Sequence, residues 1–241
     1  MHGIGGNRRN WRAQLAFFAA RYRAAAWDAR GYGDSDDYQG PLEFSAFSAD
    51  LARVLDHLGA EKAHVVGLSM GGRIARDFAL GHPQRVRSLT LANTSPGFGA
   101  LPPDKVKAFL DARRAPLLAG RTPAELAPEL ARKLAGPQAS RFALDALIDS
   151  ISRLHKESYL KTLEASVTQD RDAPVERLRV PTLVVTSEHD SLYPPPVARA
   201  MAARIPGAEL VEIPGAGHLS NLEQPERFNA ALWAFLEKLR S

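Results

Sequence analysis

Residues Gly67-Leu68-Ser69-Met70-Gly71 spell G-x-S-x-G. A serine at this spacing can serve as a nucleophile when a strand runs into it and a helix leaves it. His64-Val65-Val66 read as the end of such a strand, and residues 70–81 read as a helix that stops near Gly81 and Pro83. In a tight strand-to-helix turn, the positions two before and two after the serine approach each other closely. Gly67 and Gly71 carry no Cβ to collide there. The turn also sets Ser69 and Met70 at a helix N-terminus, whose free N–H groups can stabilise an oxyanion.

A serine hydroxyl needs a base, and the base needs a third group to orient it. Both follow in the chain. Glu188-His189-Asp190 comes directly after an apolar run at 182–187, and Pro214-Gly215-Ala216-Gly217-His218 after another at 208–213. In a doubly wound parallel sheet the loops after the strands collect at one edge. The order Ser69, Asp190, His218 suits nucleophile, acid and base. Glu188 is the rival acid and His189 the rival base. His57, His64, His82 and His155 fall on a polar helix side, a strand start, a helix end and the helical middle of the chain. Near the start, His2-Gly3-Ile4-Gly5-Gly6 forms a glycine-rich loop, and the N–H of Ile4 is a second oxyanion donor beside that of Met70.

The elements that must position these groups are legible as alternating patterns. Residues 22–27, 62–67, 86–92, 182–187 and 208–213 read as strands. Residues 45–58, 70–81 and 225–239 read as helices, the last opening on Pro225-Glu226. Such alternation implies an α/β fold with a mostly parallel sheet covered on both faces. From about 98 to 172 the rhythm breaks. No good strand is found, and Thr122-Pro123-Ala124-Glu125 is a helix start with its cap, while several prolines should keep the helices short. The expected organisation is a core over 1–97 and 173–241, with a helical cap at 98–172.

The chain has 241 residues, 45% hydrophobic and 24% charged, with a formal net charge of +4. Its arginines are scattered rather than blocked, so the composition argues against a nucleic-acid partner. There are no cysteines, which excludes disulfides, thiolate catalysis and cysteine-bound metal. No segment reads as a signal peptide or membrane span, and cytoplasmic location is the default expectation.

HGIGG at 2–6, WDARGYGDSD at 27–36, GLSMGG at 67–72, RVRSLTLANTSPG at 85–97 and GAGHLSNLEQPERFNAAL at 215–232 together resemble the α/β-hydrolases. Within that superfamily they are similar to 3-oxoadipate enol-lactonases and related carboxylesterases. The resemblance implies a Ser/His/Asp triad at Ser69, His218 and Asp190, oxyanion donors at Ile4 and Met70, a helical lid, and no metal or other cofactor. The segment Asp28-x-Arg30-Gly31-x-Gly33 matches a loop that is mainly structural in the family. One departure stands out. The family places three strands before the His-Gly loop, one of them inside the sheet, whereas here Met1 immediately precedes His2. Unpaired buried backbone groups cost about 1–3 kcal/mol each. Met1 is therefore expected either to be an internal methionine of a longer chain, or to border a sheet edge closed by rearrangement or by a second subunit in a homo-oligomer.

The leading expectation is a hydrolase of small carboxylic esters or lactones. Alternatives on the same residues are enol-lactone hydrolysis, carbon–carbon bond hydrolysis, a haloperoxidase-like activity, and a non-catalytic binder. An enol-lactone carries a carboxylate, so its pocket should hold a cation. Arg73, Arg113, Arg114 and Lys156 are the candidates, although each reads first as a surface residue. Trp11, Phe142, Leu144, Leu147 and Tyr159 are candidate pocket walls.

Overall fold

Four parallel strands, β1 (Ala63–Leu68), β2 (Val86–Ala92), β3 (Thr182–Ser187) and β4 (Glu209–Ile213), form one sheet in the order β1-β2-β3-β4. The structure, a computed structural model, describes residues 1–99, 102–169 and 172–240. After a register shift between Ala63 and His64, the strands pair through Gly67↔Leu91, Leu91↔Val184 and Val185↔Val211, so the C-terminal ends of all four strands lie at one edge. The central strands β2 and β3 are buried almost throughout, as a sheet covered on both faces requires.

One face packs against α1 (Arg12–Phe18) and α10 (Pro225–Lys238), with Phe18, Phe228, Leu232 and Phe235 meeting Leu183, Val185 and Ile213. The other face meets α2 (Ser45–His57), α3 (Met70–Gly81) and α8 (Pro195–Arg204), through Leu51, Leu55, Phe78 and Met201 against Leu89, Leu91 and Val184. Each large apolar side chain buried in this way contributes about 1.5–3 kcal/mol. Among the described residues no helix is long and apolar enough to cross a membrane.

Between β2 and β3 the described residues form four α-helices, one short 3-10 turn (Val175–Arg177) and no strand: the α-helices are α4 (Pro103–Leu118), α5 (Pro123–Leu134), α6 (Arg141–Ser152) and α7 (Lys156–Thr168). Residues 100–101 and 170–171, near the ends of the expected cap, lie outside the described residues. The start at Thr122 forms as the sequence implies. The Thr122 hydroxyl accepts from the Glu125 N–H at 3.3 Å, and the Glu125 carboxylate accepts from the Thr122 N–H at 2.7 Å. The prolines do not shorten these helices to fragments. Pro103 and Pro123 open α4 and α5, where no N–H is needed, and Pro116 falls in the last turn of α4. A short helix, α9 (Ser220–Glu223), follows His218.

Two expectations need correction. Residues 22–27 are not a strand, since 23–29 carry no regular structure. The free edge of β1 is met instead by Met1, whose N–H donates to the Val66 carbonyl at 2.6 Å and whose carbonyl accepts from the Leu68 N–H at 3.1 Å. The Tyr22 ring stands edge-on to His64 of β1 at 5.8 Å. A strand needs a partner for its ladder, and none stands beside these residues. Conversely, periodicity flagged no helix before residue 45, yet α1 forms. Its seven residues are too few for a stripe to show, and Phe17 is left exposed beside buried Phe18.

Candidate active site

Ser69 sits where β1 ends and α3 begins, with φ 56° and ψ −120°. A non-glycine residue in this region is strained, and the surroundings hold it. The Ser69 N–H donates to Ala92 O at 2.8 Å, and the Thr94 hydroxyl donates to Ser69 O at 2.8 Å. Both glycines prove necessary. A Cβ on Gly67 would run into the Gly71 carbonyl, and one on Gly71 would stand 2.6 Å from the His2 carbonyl oxygen.

The glycine-rich loop at 2–6 lies directly over the serine. A Cβ on Gly3 would stand 3.1 Å from the Ser69 Cβ. Gly6 N–H closes a turn on the Gly3 carbonyl at 2.9 Å, with Ile4 at the middle of the turn. Met70 is the first residue of α3, so its N–H has no carbonyl one turn earlier to receive it. His2 anchors this loop. Its Nε2 accepts from the Ala29 N–H at 3.0 Å, which leaves Nδ1 to donate to the Gly3 carbonyl at 2.8 Å. Burial holds the His2 imidazole down at about 4. The Asp28 carboxylate braces the same region, accepting from the Arg8 N–H and guanidinium at 2.6 Å each and from the Asp34 N–H at 3.0 Å. Arg30 pairs with Asp50 at 2.6 Å.

Asp190 and His218 meet at the C-terminal edge of the sheet. His218 Nδ1 lies 3.0 and 3.1 Å from the two carboxylate oxygens of Asp190, and both side chains are buried. A carboxylate only accepts, so Nδ1 carries the proton and the lone pair of the neutral ring lies on Nε2. Asp190 also accepts from the N–H groups of Leu192 and Tyr193 and from Asn93 Nδ2. Burial pushes the Asp190 carboxyl up, but the His218 imidazole and these donors outweigh it and hold the carboxyl below its ordinary range. The loop that carries His218 is fixed by Glu223, which accepts from the N–H groups of Gly136, Gly217 and Leu219.

Ser69 and His218 line one cavity of about 130 Å³ between the sheet edge and the four helices. Gly3 and Ile4 border it, as do Phe109 and Arg113 of α4, Leu130 and Lys133 of α5, Leu147 and Ile151 of α6, and Tyr159 and Leu163 of α7. Arg73, Arg113 and Lys133 bring three cations to its wall, and no Asp or Glu is among the described residues that line it. Lys133 is paired with Glu129 at 2.7 Å. Arg73 is buried between the rings of Phe44 and Phe98 and donates to the Ser166 carbonyl at 2.8 Å. Arg113 lies over the Phe109 ring and donates to the Phe109 carbonyl at 3.2 Å, and burial pulls its guanidinium below the usual arginine value.

Several sequence expectations are thereby sorted. Leu147 and Tyr159 reach the cavity, as do Arg73 and Arg113, which are not the surface residues they first suggested. Arg114 instead stands 3.8 Å from Glu164, and Lys156 opens α7 outside the cavity wall. Trp11 belongs to the core, edge-on to Phe228 at 6.0 Å, and Phe142 is 76% exposed. Leu144 does not line the cavity. The rivals lie apart from the Asp190 pair. Glu188 accepts from Gly215 N–H, and His189 faces Glu188 on the exposed side of the turn. Glu223 and Asn93 were missed by sequence reading. Asn93 carries one legible signal, a polar residue placed directly after a buried strand at the edge where sites gather. Among the described residues no group of three or more His, Cys, Asp or Glu is placed to hold a metal ion.

The fold and this site define a class, an α/β-hydrolase with a serine in the strained turn and a histidine–carboxylate pair above it. The chain belongs to the alpha/beta hydrolase fold family, whose model matches residues 1–225. It is similar to a protein of Azorhizobium caulinodans to which a carbamate hydrolase activity is ascribed, RutD, with 31% identity over 97% of this chain and 88% of that one. It is also similar to 3-oxoadipate enol-lactonase 2 of Acinetobacter baylyi, with 28% identity over 98% of this chain and 87% of the relative. Among solved structures, a thermophilic esterase from Thermogutta terrifontis superposes with a TM-score of 0.90 at 29% identity, covering 100% of this chain and 89% of the other. Fold and relatives class the protein as a hydrolase.

Proposed function

We propose that the protein hydrolyses small carboxylic esters or lactones through an acyl-enzyme on Ser69. The supporting observation is the His218–Asp190 pair, at 3.0 and 3.1 Å, whose His218 lines the same cavity as Ser69. With Nδ1–H held by Asp190, His218 Nε2 takes the proton of the Ser69 hydroxyl as the oxygen attacks the acyl carbon. The N–H groups of Ile4 and Met70 receive the oxyanion. The tetrahedral adduct then collapses, and the leaving alkoxide takes the proton back from His218. Water, activated by the same ring, attacks the acyl-enzyme, and its collapse restores Ser69 and releases the acid. The base contributes about 10²–10⁴-fold and the oxyanion donors about 10²–10³-fold.

Replacement of Ser69 by Ala tests this on a p-nitrophenyl acyl ester. The expected result is loss of turnover, together with loss of fluorophosphonate labelling found at Ser69 in the unaltered protein. Retained turnover would remove Ser69 from the mechanism. A second reading narrows the substrate to one that carries a carboxylate, such as an enol-lactone. What favours it is the presence of Arg73, Arg113 and Lys133 in a cavity wall whose described lining includes no Asp or Glu. An uncharged ester, an anionic ester and a carbamate assayed side by side separate these substrates.

A further inference from the structure

Asn93 follows β2 with φ 46°, a left-handed conformation that asparagine tolerates and most side chains do not. Its N–H donates to Val185 O at 2.8 Å, which pins the turn to β3. The residue is 1% exposed, and its side chain bonds to elements that carry the site. Nδ2 donates to Ser187 Oγ at 2.8 Å and to Asp190 Oδ2 at 3.0 Å, and Oδ1 accepts from Ser220 Oγ at 2.5 Å. The opposite orientation of the amide would set its oxygen against a carboxylate oxygen, so the NH₂ must face Asp190. Ser220 lies two residues beyond His218, at the start of α9. One amide therefore holds the carboxylate on one side and the histidine loop on the other.

We propose that Asn93 is a positioning residue that sets the Asp190 carboxylate against the His218 ring. The inference rests on the hydrolase reading given above. It does not touch substrate. It fixes which way the carboxylate faces and how far the loop at 218–220 stands from it. Two other titratable groups stand by the His218 ring, Tyr193 with ring centroids 5.8 Å apart and Glu223 on the backbone N–H groups of Gly217 and Leu219. Neither is altered in the test.

Asn93→Gly and Asn93→Ala separate positioning from shape. Both remove the amide, but only alanine strains the left-handed backbone. Turnover of a p-nitrophenyl ester is measured per site titrated with a fluorophosphonate, and the His218 Nδ1–H resonance is recorded by NMR without substrate. The expected result is a fall in kcat of about tenfold in both variants, as befits loss of an oriented donor to a charged group. KM stays within about twofold, and the Nδ1–H resonance shifts in both. Only Asn93→Ala should also show a clear loss of melting temperature. A per-site kcat equal to the unaltered protein in Asn93→Gly, with the Nδ1–H resonance unmoved, would overturn the proposal and leave Asn93 a turn residue. No ester turnover by the unaltered protein would count against the hydrolase reading, and the Nδ1–H resonance would still decide this one.

Discussion

Gly136, just beyond α5, and Gly217, next to His218, are packed backbone against backbone. A Cβ on Gly217 would stand 2.6 Å from the Ala135 carbonyl carbon, and one on Gly136 would stand 2.8 Å from that of Ala216. His218 N–H donates to the Leu134 carbonyl at 2.8 Å across the same contact. The helical insertion thus sets the height of the histidine loop above the sheet.

This contact predicts that Gly217→Ala damages the site more than it damages the fold. Overpacking there should cost about 1–3 kcal/mol of stability, while displacement of His218 should lower kcat by roughly a hundredfold. Gly81→Ala is the control. Nothing lies within 4 Å of that position, at the end of α3, so alanine should raise stability by about 0.5–1 kcal/mol. Thermal melts and kcat per titrated serine read the two effects apart. Equal kcat in Gly217→Ala and the unaltered protein would refute the contact's role.

Arg113 supplies a prediction about charge. It lies in the cavity wall with no carboxylate partner among the described residues, and burial already makes its cation less favourable. A substrate carboxylate would relieve that. The ratio of kcat/KM for a succinyl over a neutral p-nitrophenyl ester should therefore fall tenfold or more in Arg113→Gln, given about 1.5–3 kcal/mol for a hydrogen bond to a charged group. Arg113→Lys should recover part of it. An unchanged ratio would point to a neutral substrate.

The buried His2 predicts a stability profile. Its imidazole titrates near 4 in the folded protein and near 6.5 when unfolded. Between these values the unfolded chain binds the proton and the folded one does not. The contribution is thus intact above pH 6.5, declines as pH falls toward 4, and changes no further below that. The loss over this window is about 3 kcal/mol. Urea midpoints at pH 7, 5.5 and 4.5 should show the decline, and His2→Asn should flatten it. Parallel profiles would contradict the assignment.

Two aromatic residues should behave oppositely to their first appearance. Trp11→Ala removes a core ring that packs on Phe228, and about 3–5 kcal/mol of stability should go with it. Phe142→Ser changes an exposed side chain and should leave both the melting temperature and KM within error. A raised KM in Phe142→Ser would show that α6 contacts substrate in a way the cavity does not indicate.

The sequence alone carried the local parts of this protein. The Gly67–Gly71 turn is legible because its chemistry is steric and confined to five residues. Strands at 86–92 and 182–187 were legible with their observed bounds because strands buried on both faces leave continuous apolar runs, and the helix at 70–81 because it follows the serine turn and stops at Gly81. The Thr122 cap is likewise a four-residue device. Asp190 and His218 were legible as loop residues after strands, but their bonding at 3.0 and 3.1 Å depends on the register of β3 against β4. Tertiary structure decided the rest. Residues 22–27 have a strand's composition but no ladder beside them, and pairing is a property of neighbours rather than of residues. Whether Trp11 or Arg73 faces core, solvent or cavity depends on which helix covers it. Asn93, Glu223 and Gly136 act through partners as many as 127 residues away in sequence. Hydrogen bonds and close contacts fade over a few ångströms, so groups distant along the chain cooperate only after the fold has brought them together.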